Sequence, residues 1–130
     1  MKIFIDENYP KTVFELIKSL HNLTGNDKYE ISRWGDIEVR EDDLKDSVFL
    51  VIDFMEKGLS IPYERLFEDG YRTFVCKSKK SDDFSRFGLA LTLFTVWPSI
   101  LEKSENYHEK FLYSFKYGGK KLSNKYKLKT

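Results

Sequence analysis

Residues 48–52 carry the clearest strand pattern in the chain, five apolar residues in succession that read Val-Phe-Leu-Val-Ile. A continuous apolar run of this length is typical of a parallel strand that is covered on both faces. Asp53 follows the run directly, so a carboxylate stands at the carboxyl end of the strand. Because both faces must be covered, the segment favours a sheet with helices on either side, which is an α/β fold.

Strand and helix patterns alternate along the rest of the chain. Strands are predicted at residues 2–5, 29–34, 48–52, 71–76 and 111–117, and helices at 10–20, 36–46, 63–68 and 82–97. Ser81 is the expected N-cap of the last helix, and Pro98 is expected to break or kink it before a final turn that runs to about Lys103. The alternation predicts one α/β domain over residues 1–130 with a mainly parallel central sheet.

Composition narrows the class of protein. A hydrophobic content of 41% with a net charge of +1 is typical of a folded domain and not of a disordered chain. The lone cysteine, Cys76, cannot form an internal disulfide, so we expect a core residue in a protein of the reducing cytoplasm. The longest nearly apolar run, residues 87–97, is about half a membrane span, so no membrane partner is expected.

The net charge conceals an uneven distribution. Residues 109–130 contain seven lysines and one acid, a net charge of +6, whereas residues 1–108 carry 15 basic and 20 acidic groups, a net charge of −5. We place a basic tail at about residues 118–130. A basic segment beside an acidic body suits a nucleic-acid enzyme with a carboxylate site, and it equally suits a solvated C-terminal segment.

Two predicted strands end in aspartates, Asp6 and Asp53. Ligands of open α/β sheets bind beyond the carboxyl ends of the strands. Two carboxylates that converge there repel each other unless a cation lies between them, and Mg²⁺ and Mn²⁺ prefer such oxygen ligands. The alternative interpretation is that each aspartate caps the next helix or turns the chain.

A third carboxylate is needed to hold a metal ion firmly. The stretch 36–46 offers six acids, and most of them must form a solvated helix face. If Asp36 is the N-cap of a short helix, Glu38 lies in its first turn, near the carboxyl edge of the sheet. Glu38 is therefore the predicted third ligand, with Asp42 and Asp43 as alternatives.

The first ten residues, Met-Lys-Ile-Phe-Ile-Asp-Glu-Asn-Tyr-Pro, resemble the opening of PIN-like domains, in which a strand ends in Asp-Glu-Asn or Asp-Asn-Asn before a proline. Shorter segments continue the resemblance. They include residues 29–34, the Asp-Ile-Glu at 36–38, the strand at 48–53, and residues 61–65, 68–74, 97–100 and 118–120. The branch that looks closest contains the VapC-type toxins and their uncharacterised relatives.

This resemblance implies a PIN-like three-layer sandwich and a metal-dependent ribonuclease that hydrolyses RNA phosphodiester bonds. Carried over residue by residue, Asp6, Glu38 and Asp53 become the catalytic metal ligands for Mg²⁺ or Mn²⁺. The candidate partners are RNA, a cognate antitoxin protein and a second copy of the chain.

One departure from the family pattern bears on activity. Many PIN domains place a further aspartate shortly after the third strand, but here Asp53 is followed by Phe-Met-Glu-Lys. Glu56, or the pair Asp82 and Asp83, would have to supply that ligand. The alternative hypothesis is a PIN-like module with an eroded site that binds RNA or a protein partner without cleaving anything.

The remaining polar residues complete the expectations. The lysines predicted to neutralise an RNA backbone are Lys77, Lys79, Lys80, Lys120 and Lys121. Tyr113, Tyr117 and Tyr126 alternate with tail lysines and could stack on bases, whereas His21 and His108 are predicted at the surface. A third class of function is a phosphatase-like or receiver-like domain. It requires a phosphoacceptor Asp, a Thr or Ser and a strand-end Lys, a set that the sequence does not assemble.

Overall fold

The computed structural model describes residues 1–34, 46–54, 63–78 and 85–124. Within them lie the strands β1 (Lys2–Ile5), β2 (Glu30–Arg33), β3 (Ser47–Phe54), β4 (Arg72–Ser78), β5 (Leu112–Lys116) and β6 (Ser123–Asn124). The helices are α1 (Lys11–Leu23), α2 (Tyr63–Glu68) and α3 (Arg86–Asn106). The predicted α/β class is confirmed, whereas the short helix predicted at 36–46 falls mostly outside the described residues.

The six strands form one sheet in the order β2-β1-β3-β4-β5-β6, and all pairs are parallel except β5 with β6. After β2 the chain returns across β1 to place β3 on its other side. The strand order therefore reverses between β1 and β3, and ligands of open α/β sheets bind at such a switch point.

Helices cover the sheet on both faces. On one side, called the α1 face, α1 and α3 pack over Ile3, Leu50 and Phe74 in the larger core. On the other side, called the α2 face, Leu66 and Phe67 of α2 pack against a smaller cluster of Val51, Val75 and Leu112. This arrangement matches a three-layer sandwich. Among the described helices none is both long and apolar enough to cross a bilayer.

The long helix α3 differs from its prediction at both ends. It begins at Arg86 with Ser85 as N-cap, whose Oγ accepts the N–H of Gly88 at 2.9 Å, so the predicted start at residue 82 is wrong. It continues through Pro98 to Asn106 without ending there. A proline removes one backbone hydrogen bond, but the buried neighbours Trp97 and Ile100 fix the helix against the core on both sides of it.

His21 is not a surface residue as predicted, because only 1% of it is exposed. The indole Nε1–H of Trp97 donates to its Nδ1 at 3.2 Å, and Nε2 lies 3.1 Å from the carbonyl oxygen of Asn26. Since Nδ1 accepts the indole N–H, Nε2 carries a proton and donates to the carbonyl oxygen of Asn26. The other histidine, His108, is exposed as predicted.

The contact between His21 and Trp97 is expected to couple the two residues energetically. Trp97→Phe, His21→Leu and the double variant form a thermodynamic cycle, in which a buried hydrogen bond between the two rings gives a coupling of about 1 kcal/mol. Urea denaturation of the four proteins measures it. Additive losses would mean that the two rings do not stabilise each other.

Candidate functional site

The structure brings Asp6 and Asp53 to the same edge and the same face of the sheet. Asp6 directly follows β1, and Asp53 is the penultimate residue of β3. Phe4 pairs with Phe49 in the parallel register, so Asp6 falls beside Val51 and Asp53 lies one further residue along that face. Both carboxylates therefore lie on the α2 face, at the switch point between β1 and β3.

The carboxylate of Asp6 replaces a backbone acceptor of the sheet. Only 3% of Asp6 is exposed, and its Oδ2 accepts the N–H of Ile52 at 3.3 Å. In a regular parallel ladder that N–H would bond to the main-chain carbonyl of Asp6, which instead accepts the N–H of Tyr9 at 3.0 Å as the chain turns away. Asn8 donates its backbone N–H to Oδ1 at 3.0 Å and its amide to Oδ2 at 3.5 Å. Asp6 thus has a structural role as well as a candidate chemical one.

Tyr9 binds the carbonyl side of the peptide group whose N–H is bound by Asp6. Its hydroxyl donates to the carbonyl oxygen of Val51 at 3.0 Å, while Asp6 accepts the adjoining N–H of Ile52. The peptide between Val51 and Ile52, one residue before Asp53, is therefore held by Tyr9 and Asp6 together. Burial raises the pKa of Tyr9 well above its usual value, so the hydroxyl stays a donor. The sequence contains no signal for this role, and the prediction missed it.

Burial is also the main influence on the protonation of Asp6. Loss of hydration raises the pKa of its carboxyl group above the ordinary 3.8, and the hydrogen bonds from Asn8 and Ile52 offset only part of that rise. The charged form is thus less stable in the folded protein than in water. A bound cation or a basic ligand would relieve this cost.

The elevated pKa of Asp6 predicts the sign of a pH effect. Because the folded pKa exceeds the unfolded one, Asp6 stabilises the fold below pH 3.8, and this contribution is lost as the pH rises through the folded pKa. The free energy of unfolding of the wild type, relative to Asp6→Asn, is expected to fall across that interval. Urea denaturation of both proteins between acid and neutral pH tests this, and a constant difference would contradict it.

Two lysines extend the row of strand-end residues across the sheet. Lys77 on β4 pairs in register with Asp53, and Lys116 on β5 pairs with Lys77. Paired residues of parallel strands project to the same face, so both lysines share the α2 face with the aspartates. We call Asp6, Asp53, Lys77 and Lys116 the carboxyl-end site. Lys77 was predicted from the sequence and Lys116 was not.

The other predicted residues divide between exposed positions and undescribed ones. Lys120 and Lys121 are exposed in the turn that follows β5. Glu38, Lys79 and Lys80 lie outside the described residues, as do the alternative ligands Asp42, Asp43, Glu56, Asp82 and Asp83. Within residues 1–34, 46–54, 63–78 and 85–124, no three His, Cys, Asp or Glu side chains are grouped to hold a metal ion.

The described part of the site offers oxygen donors of the kind that a hard divalent cation prefers, from two carboxylates on adjacent strands. It contains no thiol donor, because Cys76 is fully buried in the larger core, and burial raises the pKa of its thiol to about 12. Cys76 is thus a core residue, as predicted, and not a nucleophile.

The site also contains part of the phosphoacceptor set that the sequence did not assemble. Asp53 lies at the end of a central strand, and Lys77 and Lys116 lie at the ends of the next two. A lysine next to an aspartate at the switch point is an arrangement that can hold a phosphoryl group.

Comparisons of the chain with protein-family models, with curated proteins and with solved structures find no match.

Proposed function

We propose that this protein is a metal-dependent ribonuclease with a PIN-like fold, which acts as the toxin of a toxin–antitoxin pair. The observation that carries the proposal is the register of the sheet, which aligns Asp6 and Asp53 on one face with Lys77 and Lys116 beside them. Carboxylates that attract a cation, next to lysines that attract a phosphate, are the charges that phosphodiester hydrolysis requires.

Asp6 and Asp53 would hold Mg²⁺ or Mn²⁺, with Glu38 as the third ligand that the resemblance implies. When bound, the ion supplies Lewis-acid activation of the phosphodiester and lowers the pKa of the attacking water. Lys77 lies in the register position next to Asp53, from which its ammonium group can neutralise a non-bridging phosphate oxygen. Tyr9 and Asp6 would help to hold Asp53 in place, because they bind the two sides of the peptide between Val51 and Ile52, one residue before it.

The PIN-like assignment rests on two supports. The Asp-Glu-Asn opening resembles that family, and the mostly parallel sheet places the aspartate of that opening at the switch point. The antitoxin is the protein partner that the resemblance implies.

Cleavage of end-labelled RNA of mixed sequence tests the activity. The protein is expected to cut with Mn²⁺ or Mg²⁺ and to stop when EDTA removes the metal. Cutting that EDTA leaves unchanged would contradict metal dependence, and absence of cutting on a broad pool of RNAs would contradict the nuclease proposal.

A binding module without catalysis is the second candidate, and the surroundings of Asp6 favour it. Its carboxylate already accepts hydrogen bonds from Asn8 and Ile52, so it has partners without a cation. A thermal shift with Mn²⁺ separates the two candidates. A working site gains about 2.7 kcal/mol at a metal concentration of 100 times the dissociation constant, whereas an eroded site gains nothing.

A further inference from the structure

An open groove of about 490 Å³ runs along the carboxyl end of β5. Its described lining is Lys77, Ser114, Phe115, Lys116, Gly119, Lys120, Lys121 and Ser123. We call it the lysine groove. Four of these eight residues are lysines and none is an acid, so the groove concentrates positive potential. The hydroxyls of Ser114 and Ser123 add hydrogen-bond donors on its walls.

The wall formed by the turn after β5 is held by specific contacts. The N–H of Tyr117 donates to the carbonyl of Lys77 at 2.9 Å, and the N–H of Gly118 donates to Oγ1 of Thr92 on α3 at 2.9 Å. A side chain at Gly119 would place its Cβ only 2.8 Å from the carbonyl oxygen of Lys116. The backbone of the turn is therefore held to β4 and α3 in the unbound protein. Ligand binding then costs little further ordering of this backbone.

The groove begins at the carboxyl-end site. Lys77 and Lys116 belong to both, and the register partner of Lys77 is Asp53. Adjacent strands lie about 4.8 Å apart, so Lys116 stands about 10 Å from Asp53 across the sheet. A ligand with several phosphates in a row would occupy the lysines while one of its phosphates reaches Asp53.

The described aromatic side chains near the groove make contacts within the fold. Phe115 is 2% exposed, and the ring of Tyr113 stacks on Phe74 with centroids 5.9 Å apart. The hydroxyl of Tyr117 accepts the N–H of Ser85 at 3.1 Å, which binds this side chain to the start of α3. Tyr113 and Tyr117 thus make contacts within the fold, base stacking by them stays a prediction, and Tyr126 lies outside the described residues.

We propose that the lysine groove binds the phosphodiester backbone of a single-stranded nucleic acid and is indifferent to its bases. This inference rests on the proposed function and extends the substrate-binding surface from Lys77 and Lys116 to Ser114 and Ser123. Lysine is a point charge on a flexible stem, which suits contacts to phosphate oxygens. The groove thus supplies binding affinity and orients the nucleic-acid strand, whereas the carboxyl-end site cleaves it.

Salt dependence of binding, measured in EDTA so that no metal-dependent cleavage intervenes, tests the groove. Anisotropy of a labelled oligouridylate between about 50 and 200 mM salt gives the slope of log K against log salt, which changes by about 0.7 for each phosphate contact on a single strand. Lys116→Gln and Lys120→Gln are each expected to make the slope shallower by about 0.7. The matched control is Lys18→Gln, because Lys18 is exposed on α1, on the other side of the sheet.

Each result bears on one part of the proposal. Equal binding of oligouridylate, oligoadenylate and single-stranded DNA supports backbone recognition, whereas a preference of about tenfold for one base overturns it. Stronger binding of a duplex overturns the single-strand assignment. If both groove variants keep the wild-type slope while RNA is still cut, the groove is refuted and the nuclease stands. If the slopes change as expected but no RNA is cut, the groove stands and the nuclease is refuted.

Discussion

Asp53→Asn is expected to lower the single-turnover rate of RNA cleavage by about 100- to 1,000-fold, the loss typical of removing one group that stabilises charge in the transition state. Asparagine keeps the shape and the polarity of the side chain but removes the negative charge that attracts a cation. Asp53 is the cleaner target because Asp6 also accepts the backbone N–H of Ile52. The Asp53→Asn rate should therefore fall without a matching loss of stability.

Asp69→Asn provides the control, since Asp69 is exposed after α2 and the substitution makes the same change in net charge. Its rate is expected to equal that of the wild type. If Asp53→Asn and Asp69→Asn cleave equally fast, Asp53 has no part in the chemistry. A phosphoacceptor domain would give another pattern, in which a small phosphodonor such as acetyl phosphate adds a phosphoryl group to the wild type but not to Asp53→Asn, as intact mass reveals.

The carboxylates could be located from the sequence because one physical rule applied to them. An apolar run that ends in a charged residue indicates a buried strand whose carboxyl end lies at that residue. Asp6 and Asp53 satisfy this rule, and the sheet places both at its carboxyl edge. Lys116 satisfies it as well, at the end of the strand predicted over 111–117. Lys116 contributes to the sequence prediction only through the net charge of residues 109–130, and not as a strand-end residue.

The predictions that failed depended on contacts between distant segments. Residues 63–68 were predicted as a helix and form α2, because a proline and a glycine bracket that segment locally. Pro98 gives a local signal that a helix ends or kinks, but packing of α3 against the sheet overrides that signal. His21 has polar neighbours in sequence, yet it continues the spacing of Val13 and Ile17 by four residues, a signal that would have placed it on the buried face of α1.

Arg72→Met is expected to destabilise the fold by about 3 kcal/mol, because it removes hydrogen bonds from a charged donor and leaves carbonyls without partners. Arg72 is 3% exposed, and its Nη1 donates to the carbonyl oxygens of Ser104 at 2.8 Å and Tyr107 at 3.1 Å. The last carbonyls of a helix have no intrahelical donor, so Arg72 caps the end of α3. For a chain of this size the midpoint of thermal unfolding should fall by about 10 °C.

Two further variants separate the cap from the ion pair that Arg72 also makes. Its Nη2 lies 3.5 Å from Oδ1 of Asp46, whose side chain is 73% exposed. An ion pair with so exposed a partner contributes little, so Asp46→Asn should cost less than about 1 kcal/mol. Arg72→Lys keeps the charge but has a single nitrogen, which cannot replace both Nη1 at the two carbonyls and Nη2 beside Asp46, so its loss should fall between those of the other variants. A cost for Asp46→Asn equal to that of Arg72→Met would identify the ion pair, and not the cap, as the stabilising contact. Arg72 is the first residue of β4, whereas the carboxyl-end site lies at the other end of that strand. Arg72→Lys should therefore cleave RNA at the wild-type rate under conditions in which it remains folded.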